Sequence, residues 1–153
     1  MKAQFKALTM VCMMAVGTIA AAPAFAAHAI PVSTTFTASG PTSLSVLGIA
    51  VPCTSTFVLV TDAGGNVTVT QATFTGSSTC TGIHANNLPW SVSLPSTTSA
   101  TINNVSVTAV GVTCSGNVGA TVNTNSSITL GGTLGVCSVS GTLAISPAFQ
   151  VVN

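Results

Sequence analysis

Apolar and polar residues alternate along most of the chain with a period of two, the spacing of strands that turn one face to a core. Thr54 to Thr61 is one such stretch, closed by the turn Asp62-Ala-Gly-Gly65. Asn66 to Gly76 follows as its hairpin partner. There the apolar phase runs through Val67 and Val69 and then switches to Ala72 and Phe74, which predicts a bulge or an edge position near Gln71. A second hairpin is predicted from Gly116–Val122 and Ser127–Gly131, joined by Asn123-Thr-Asn-Ser126. Val, Thr and Ile dominate these stretches, while Gly, Asn and Pro punctuate them. Short strands with turn signals at this spacing predict an all-β fold, read here as a β-sandwich. An outer-membrane barrel fits less well: the chain has no Tyr and one Trp for aromatic girdles, and it ends in Phe149-Gln-Val-Val-Asn153. A Thr-rich solenoid would need more than two copies of its repeat.

The first residues follow a different pattern. Lys2 and Lys6 precede an apolar run from Ala7 to Ala22, and Pro23-Ala-Phe-Ala26 then places small residues at Ala24 and Ala26. That order is a secretory signal peptide of bacterial form, and the run is short for a membrane span of ~20 residues. Cleavage is expected after Ala26, with Ala27-His28-Ala29 offering a second site after Ala29. Residues 1–26 are thus read as a cleaved signal helix, and residues 27–153 as a single sandwich domain with no transmembrane segment.

The domain contains an internal duplication, about residues 30–95 and 96–153. Ser43-Leu-Ser-Val-Leu-Gly-Ile-Ala-Val-Pro-Cys53 parallels Asn104-Val-Ser-Val-Thr-Ala-Val-Gly-Val-Thr-Cys114, each with a Gly and branched residues ahead of a cysteine. Each half then runs to a second cysteine, Cys80 or Cys137. With Cys12 removed in the signal, four cysteines remain, an even set that in an exported chain reads as two disulfides. Zinc is the competing reading, but there are no CxxC pairs and no clustered histidines. Four cysteines allow three pairings, and the duplication favours Cys53–Cys80 with Cys114–Cys137.

Charge narrows the function. Only 2% of the residues are charged, and both lysines lie in the signal. Asp62 is then the one charged side chain, beside His28 and His84. Nucleic-acid binding needs Lys and Arg for the phosphates and is excluded. A catalytic triad would need His84 with Asp62, but Asp62 is better placed to cap its own turn and His84 sits in a polar loop. A copper site headed by His28 would require a bulky Phe25 near the cleavage point. No catalytic residue, metal site or cofactor is expected, and the chain is read as a non-enzyme. Near-zero net charge removes the repulsion that keeps copies apart.

Two segments carry candidate binding roles. From Ala29 to Phe36, residues Ile30, Val32, Thr34 and Phe36 alternate with Ala29, Pro31, Ser33 and Thr35. Such a strand at a free chain end is either the first strand of its own domain or a donor strand that completes a neighbour's sheet. The second is Leu88-Pro-Trp90, whose lone Trp is either a core anchor or an exposed binding aromatic.

These features resemble a known family. The stretches Thr35-Phe-Thr-Ala-Ser-Gly-Pro-Thr42, Ala72-Thr-Phe-Thr-Gly-Ser-Ser-Thr-Cys80, Leu88-Pro-Trp90, Val110-Gly-Val-Thr-Cys114 and Cys137-Ser-Val-Ser-Gly-Thr-Leu-Ala-Ile-Ser-Pro147 are similar to those of the PraB-like proteins. The resemblance implies a small exported Gram-negative protein, an activator of alkane oxidation with no chemistry of its own and no catalytic residues to carry over. Two functions are consistent with it. One is a structural protein of the cell surface or biofilm matrix that self-associates into filaments by strand addition. The other is a surface-active or adhesive protein whose partners are hydrophobic interfaces such as alkane droplets.

Overall fold

The computed structural model describes residues 26–153, so the expected signal peptide lies almost wholly outside the described residues. Eleven strands and one helical turn follow in order. β1 is His28–Ile30, β2 Thr35–Val46, β3 Ile49–Thr61 and β4 Val67–Thr75. The turn α1 is Ser78–Thr81, β5 is His84–Asn86 and β6 is Trp90–Ser96. The remainder are β7 Ser99–Ala109, β8 Val112–Asn123, β9 Ser127–Leu134, β10 Cys137–Ser146 and β11 Gln150–Val152.

The all-β class and both disulfides are present, but the two layers of a sandwich are joined into one closed sheet. Its order is β5-β7-β6-β4-β3-β2-β10-β9-β8, and β8 pairs back onto β7 from Ser99↔Thr121 to Ala109↔Val112. β5 and β6 occupy the same side of β7 as one interrupted strand, so eight strands complete the ring. Alternation alone does not distinguish a sandwich from a small barrel, because both turn every second residue inward; closure depends on whether the edge strands pair. Polarity here is the reverse of a membrane barrel's. Phe36, Leu44, Leu59, Val69, Val118, Leu130 and Leu143 fill the inside, while Thr37, Thr54, Thr73, Thr121, Ser138 and Ser140 lie on outward positions.

The predicted hairpin details recur locally. β3 and β4 pair in register from Thr61↔Val67, and the register shifts between Val58 and Leu59, opposite Thr70. The apolar switch near Gln71 therefore marks a bulge. Asp62 caps the connecting turn: Oδ1 accepts from the N–H groups of Gly64 (2.8 Å) and Asn66 (2.9 Å), and Oδ2 accepts from the Asn66 side-chain amide at 2.8 Å. A helix was not expected. The single turn α1 forms where Ser77 caps it, its Oγ accepting from the N–H of Cys80.

The repeated segments Ser43–Cys53 and Asn104–Cys114 form corresponding hairpins, β2–β3 and β7–β8, with two-residue turns Leu47-Gly48 and Val110-Gly111. Disulfides join Cys53 to Cys80 and Cys114 to Cys137. The small sheet β1–β11 lies across the opposite end, where Phe36 and Phe149 meet edge to face at 5.3 Å.

Candidate functional site

Strand directions sort the turns into two sets. At one end of the barrel lie the Asp62–Asn66 turn, Thr97-Thr98 and Thr124–Ser126, all polar apart from Ala63 and the glycines. At the other end lie Leu47-Gly48, Val110-Gly111 and Gly135-Val136. These three turns are consecutive around the rim, because β2 pairs with β10 and β9 with β8.

That rim exposes apolar side chains. Leu47 is 71% exposed, Ile49 69%, Val110 69% and Val136 67%. The only other large apolar residue exposed among the described residues is Val32, at 41%. A crevice of about 360 Å³ runs between two of the tips, lined by Leu47, Ile49, Pro52, Val110 and Val112, with Ser77 and Thr79 on its side. Scattered apolar residues on a surface are ordinary, but a cluster on one face marks a contact with a partner or an apolar phase.

The backbone makes the choice of residues more informative. Leu47 has φ 51° ahead of Gly48 at 79°, and Val110 has φ 51° ahead of Gly111 at 73°. Both central residues of these turns are left-handed, the type I′ geometry that favours Asn-Gly or Asp-Gly. A branched apolar residue there costs of order 1–3 kcal/mol of backbone strain. The third tip avoids the strain by placing Gly135 at φ 62° and Val136 after it. Leu47 and Val110 are thus both unfavourable in backbone terms and unburied.

Both disulfides sit near this rim. Cys137 follows Val136, Cys114 lies on β8 just past Val110-Gly111, and Cys53 on β3 is tied to α1 through Cys80. The staples fix the tips that carry the apolar side chains.

The interior offers much less. A cavity of about 50 Å³ lies among Phe57, Phe74, Trp90, Ile102 and Leu130. An apolar cavity that holds benzene measures about 150 Å³, so the barrel interior is a packed core.

The remaining wall has one break. β4 pairs with β6 only through Val67–Val69, so Gln71–Thr75 pairs with β3 alone. β5 pairs with β7 alone. Between these two edges runs a groove of about 410 Å³, floored by Ala72, Phe74, Ile83, Ala85 and Leu88 and rimmed by Thr73, Thr75 and His84. Phe74 is set in that floor by an edge-to-face contact with Phe57 at 6.0 Å.

The residues singled out from the sequence fall as follows. Trp90 is not a surface aromatic: it is 3% exposed, and its indole N–H donates to the Asn86 carbonyl at 2.9 Å. Burial with a satisfied N–H makes it a core anchor. Ile30, Val32, Thr34 and Phe36 do not share one strand. Ile30 ends β1, Val32 lies in the exposed connection, and Phe36 enters β2 fully buried. Thr34 is held where its N–H donates to Thr61 Oγ1 at 3.0 Å. The alternation breaks because Thr61 Oγ1 also donates to the Pro31 carbonyl and turns the chain there. Asp62 is in the polar-end turn and His84 on β5 near the apolar rim, so they do not meet. Among the described residues no three metal-binding side chains cluster, and no helix is long and apolar enough to cross a membrane. Sequence reading missed Leu47, Ile49, Val110 and Val136. Their signal was an apolar residue beside Gly in a two-residue hairpin turn, where Asn is usual.

Comparison with curated proteins and with solved structures returns no match. The chain belongs to the alkane oxidation protein activator PraA/PraB-like family, whose model matches residues 1–153.

Proposed function

We propose that this protein is an exported, non-catalytic accessory of alkane oxidation that works by seating its apolar rim on a hydrocarbon phase. The observation that carries the reading is the cluster of Leu47, Ile49, Val110 and Val136 on one stapled end of an almost uncharged barrel. Fully withdrawing such a side chain from water contributes about 1.5–3 kcal/mol, so four acting together can hold the protein at an oil–water boundary. The hydroxyl-covered wall and polar far end then face water. The family's connection to alkane oxidation supplies the hydrocarbon. The two disulfides and the amino-terminal pattern support an extracellular place of work.

The test is partition of the purified mature protein into a decane-in-water emulsion. The protein is expected to deplete from the aqueous phase and to slow coalescence, and a variant carrying Leu47→Asn, Val110→Asn and Val136→Asn is expected to stay in solution. Equal partition of the two would refute the reading. A second reading, self-association into filaments of the cell surface or biofilm matrix by strand addition, is favoured by the open groove between β4 and β5.

A further inference from the structure

We infer that the crevice over the barrel's mouth binds one neutral aliphatic chain with a terminal hydroxyl, a primary alcohol of the class that oxidation of an alkane first yields. The inference rests on the hydrocarbon reading of the rim and adds to it a discrete site with a ligand of its own. Strand parity places the crevice. Val51 and Cys114 are buried and point into the barrel, so Ile49 and Val112, two residues nearer the rim on β3 and β8, lie on the same inward face. With Leu47 and Val110 on the two hairpin tips they line a space of about 360 Å³. Small-molecule sites start at roughly 300 Å³, and the mouth of a barrel is a usual place for them.

The side of the crevice that carries Ser77 and Thr79 is a bare strand edge. β4 ends at Thr75, opposite Thr54, so the first residues of β3 have no strand beside them there. The two-residue turn Leu47-Gly48 makes Val46↔Ile49 a hydrogen-bonded pair, and pairs of that kind then alternate along the hairpin. Ala50 and Pro52 fall at the positions between, where backbone groups point away from β2. Pro52 suits such a place because it has no N–H to leave unpaired. The N–H and C=O of Ala50 accordingly have no backbone partner among the described residues. The Pro52 carbonyl faces Cys80 Sγ at 3.1 Å, a disulfide sulfur with no proton to give. Ser77 and Thr79 add two exposed hydroxyls.

Aliphatic contact on one side and open donors and acceptors on the other complement a chain that ends in a hydroxyl. Its proton goes to a carbonyl of the β3 edge, and its oxygen accepts from the Ala50 N–H or the Thr79 hydroxyl. A carboxylate needs a cation or several donors to offset its desolvation, and the crevice has no cation. The described residues contain no Lys or Arg; His28 is in β1 at the polar end, and His84 borders the groove on the side wall. The site therefore takes the alcohol and refuses the acid made from it.

The test titrates n-octanol, below its solubility, into the isotope-labelled mature protein and follows amide resonances by NMR. Those of Ala50, Thr79 and Val110 are expected to move together in one saturable step, while Gly64 and Asn125 at the polar end stay still. Octanoate at neutral pH is expected to bind at least about tenfold more weakly. Ala50→Pro removes the open N–H without touching the ladder to β2, and Thr79→Val removes a hydroxyl at nearly constant shape. Each is expected to weaken octanol by about two- to tenfold, the worth of one hydrogen bond. Shifts that spread along the Thr-rich wall without saturating overturn the site, as does octanoate held as tightly as octanol. Octanol binding that neither variant weakens overturns it too. A protein that partitions into decane but binds no octanol in solution loses this site and keeps the rim reading; one that binds octanol but does not partition keeps the site and loses that reading.

Discussion

The two ends of the barrel solve the same problem, closing eight strands, with different means. The polar end relies on packing: Phe36 against Phe149, the β1–β11 sheet laid across, and a carboxylate that caps its own turn. The apolar end relies on covalent staples, Cys53–Cys80 and Cys114–Cys137, and leaves its large side chains in water. Turn chemistry differs in the same sense. Asp62, Asn66, Thr97 and Asn125 are residues that turns favour, while Leu47 and Val110 occupy left-handed positions that turns of this kind reserve for Asn or Gly. An end whose left-handed turn residues are exposed, apolar and stapled is arranged for contact, and one whose left-handed residues are the polar Ser33 and Ser126, beside a carboxylate that caps its own turn, is arranged for water.

The comparison can be broken most severely at the polar end. Phe36→Ala removes a fully buried ring and its edge-to-face partner, and should cost about 3–5 kcal/mol in chemical denaturation. Replacing Cys114 and Cys137 together by Ala should cost about 3 kcal/mol by loss of the loop constraint. It should also weaken decane partition, because the tips it fixes are the contact residues, whereas Phe36→Ala measured below its unfolding transition should leave partition intact. Leu47→Asn and Val110→Asn should act in opposite directions on two readouts. Each should raise stability by about 1 kcal/mol through relief of the left-handed strain, and each should reduce partition.

The smallest effect is the one that pH reads at Asp62. Its carboxyl is held below the ordinary range, first by the hydrogen bond from the Asn66 side-chain amide and then by the backbone N–H groups of Asn66 and Gly64. A depressed folded value means that its contribution is present above the unfolded value and lost as pH falls through the folded one. Thermal midpoints should therefore dip slightly in that acidic window, and Asp62→Asn should flatten the dip without touching decane partition.

Much of the fold was legible because strands announce themselves locally. The alternation from Thr54 to Thr61, the Asp62 turn and the phase switch at Gln71 each depend on a few adjacent residues. Closure was not legible, since it depends on β7 accepting β8 on one side and the broken pair β5–β6 on the other. The run from Ala29 to Phe36 read as one strand because its alternation is intact; the break is imposed by Thr61, distant in sequence. Trp90 carried two readings because its partner, the Asn86 carbonyl, comes from the backbone and leaves no side-chain signature. The apolar rim escaped because periodicity treats Leu47, Val110 and Val136 as strand residues, and only the turn positions turn them outward.

The central claim is that one end of this barrel, and not the other, enters the hydrocarbon boundary. Its direct measurement places an environment-sensitive fluorophore on a single added cysteine, at Val136→Cys on the apolar rim or at Thr97→Cys on the polar end, and adds decane droplets. The account predicts a blue shift and protection from an aqueous quencher at residue 136, with residue 97 unchanged. Equal shifts at the two positions, or a shift at residue 97 alone, would contradict it.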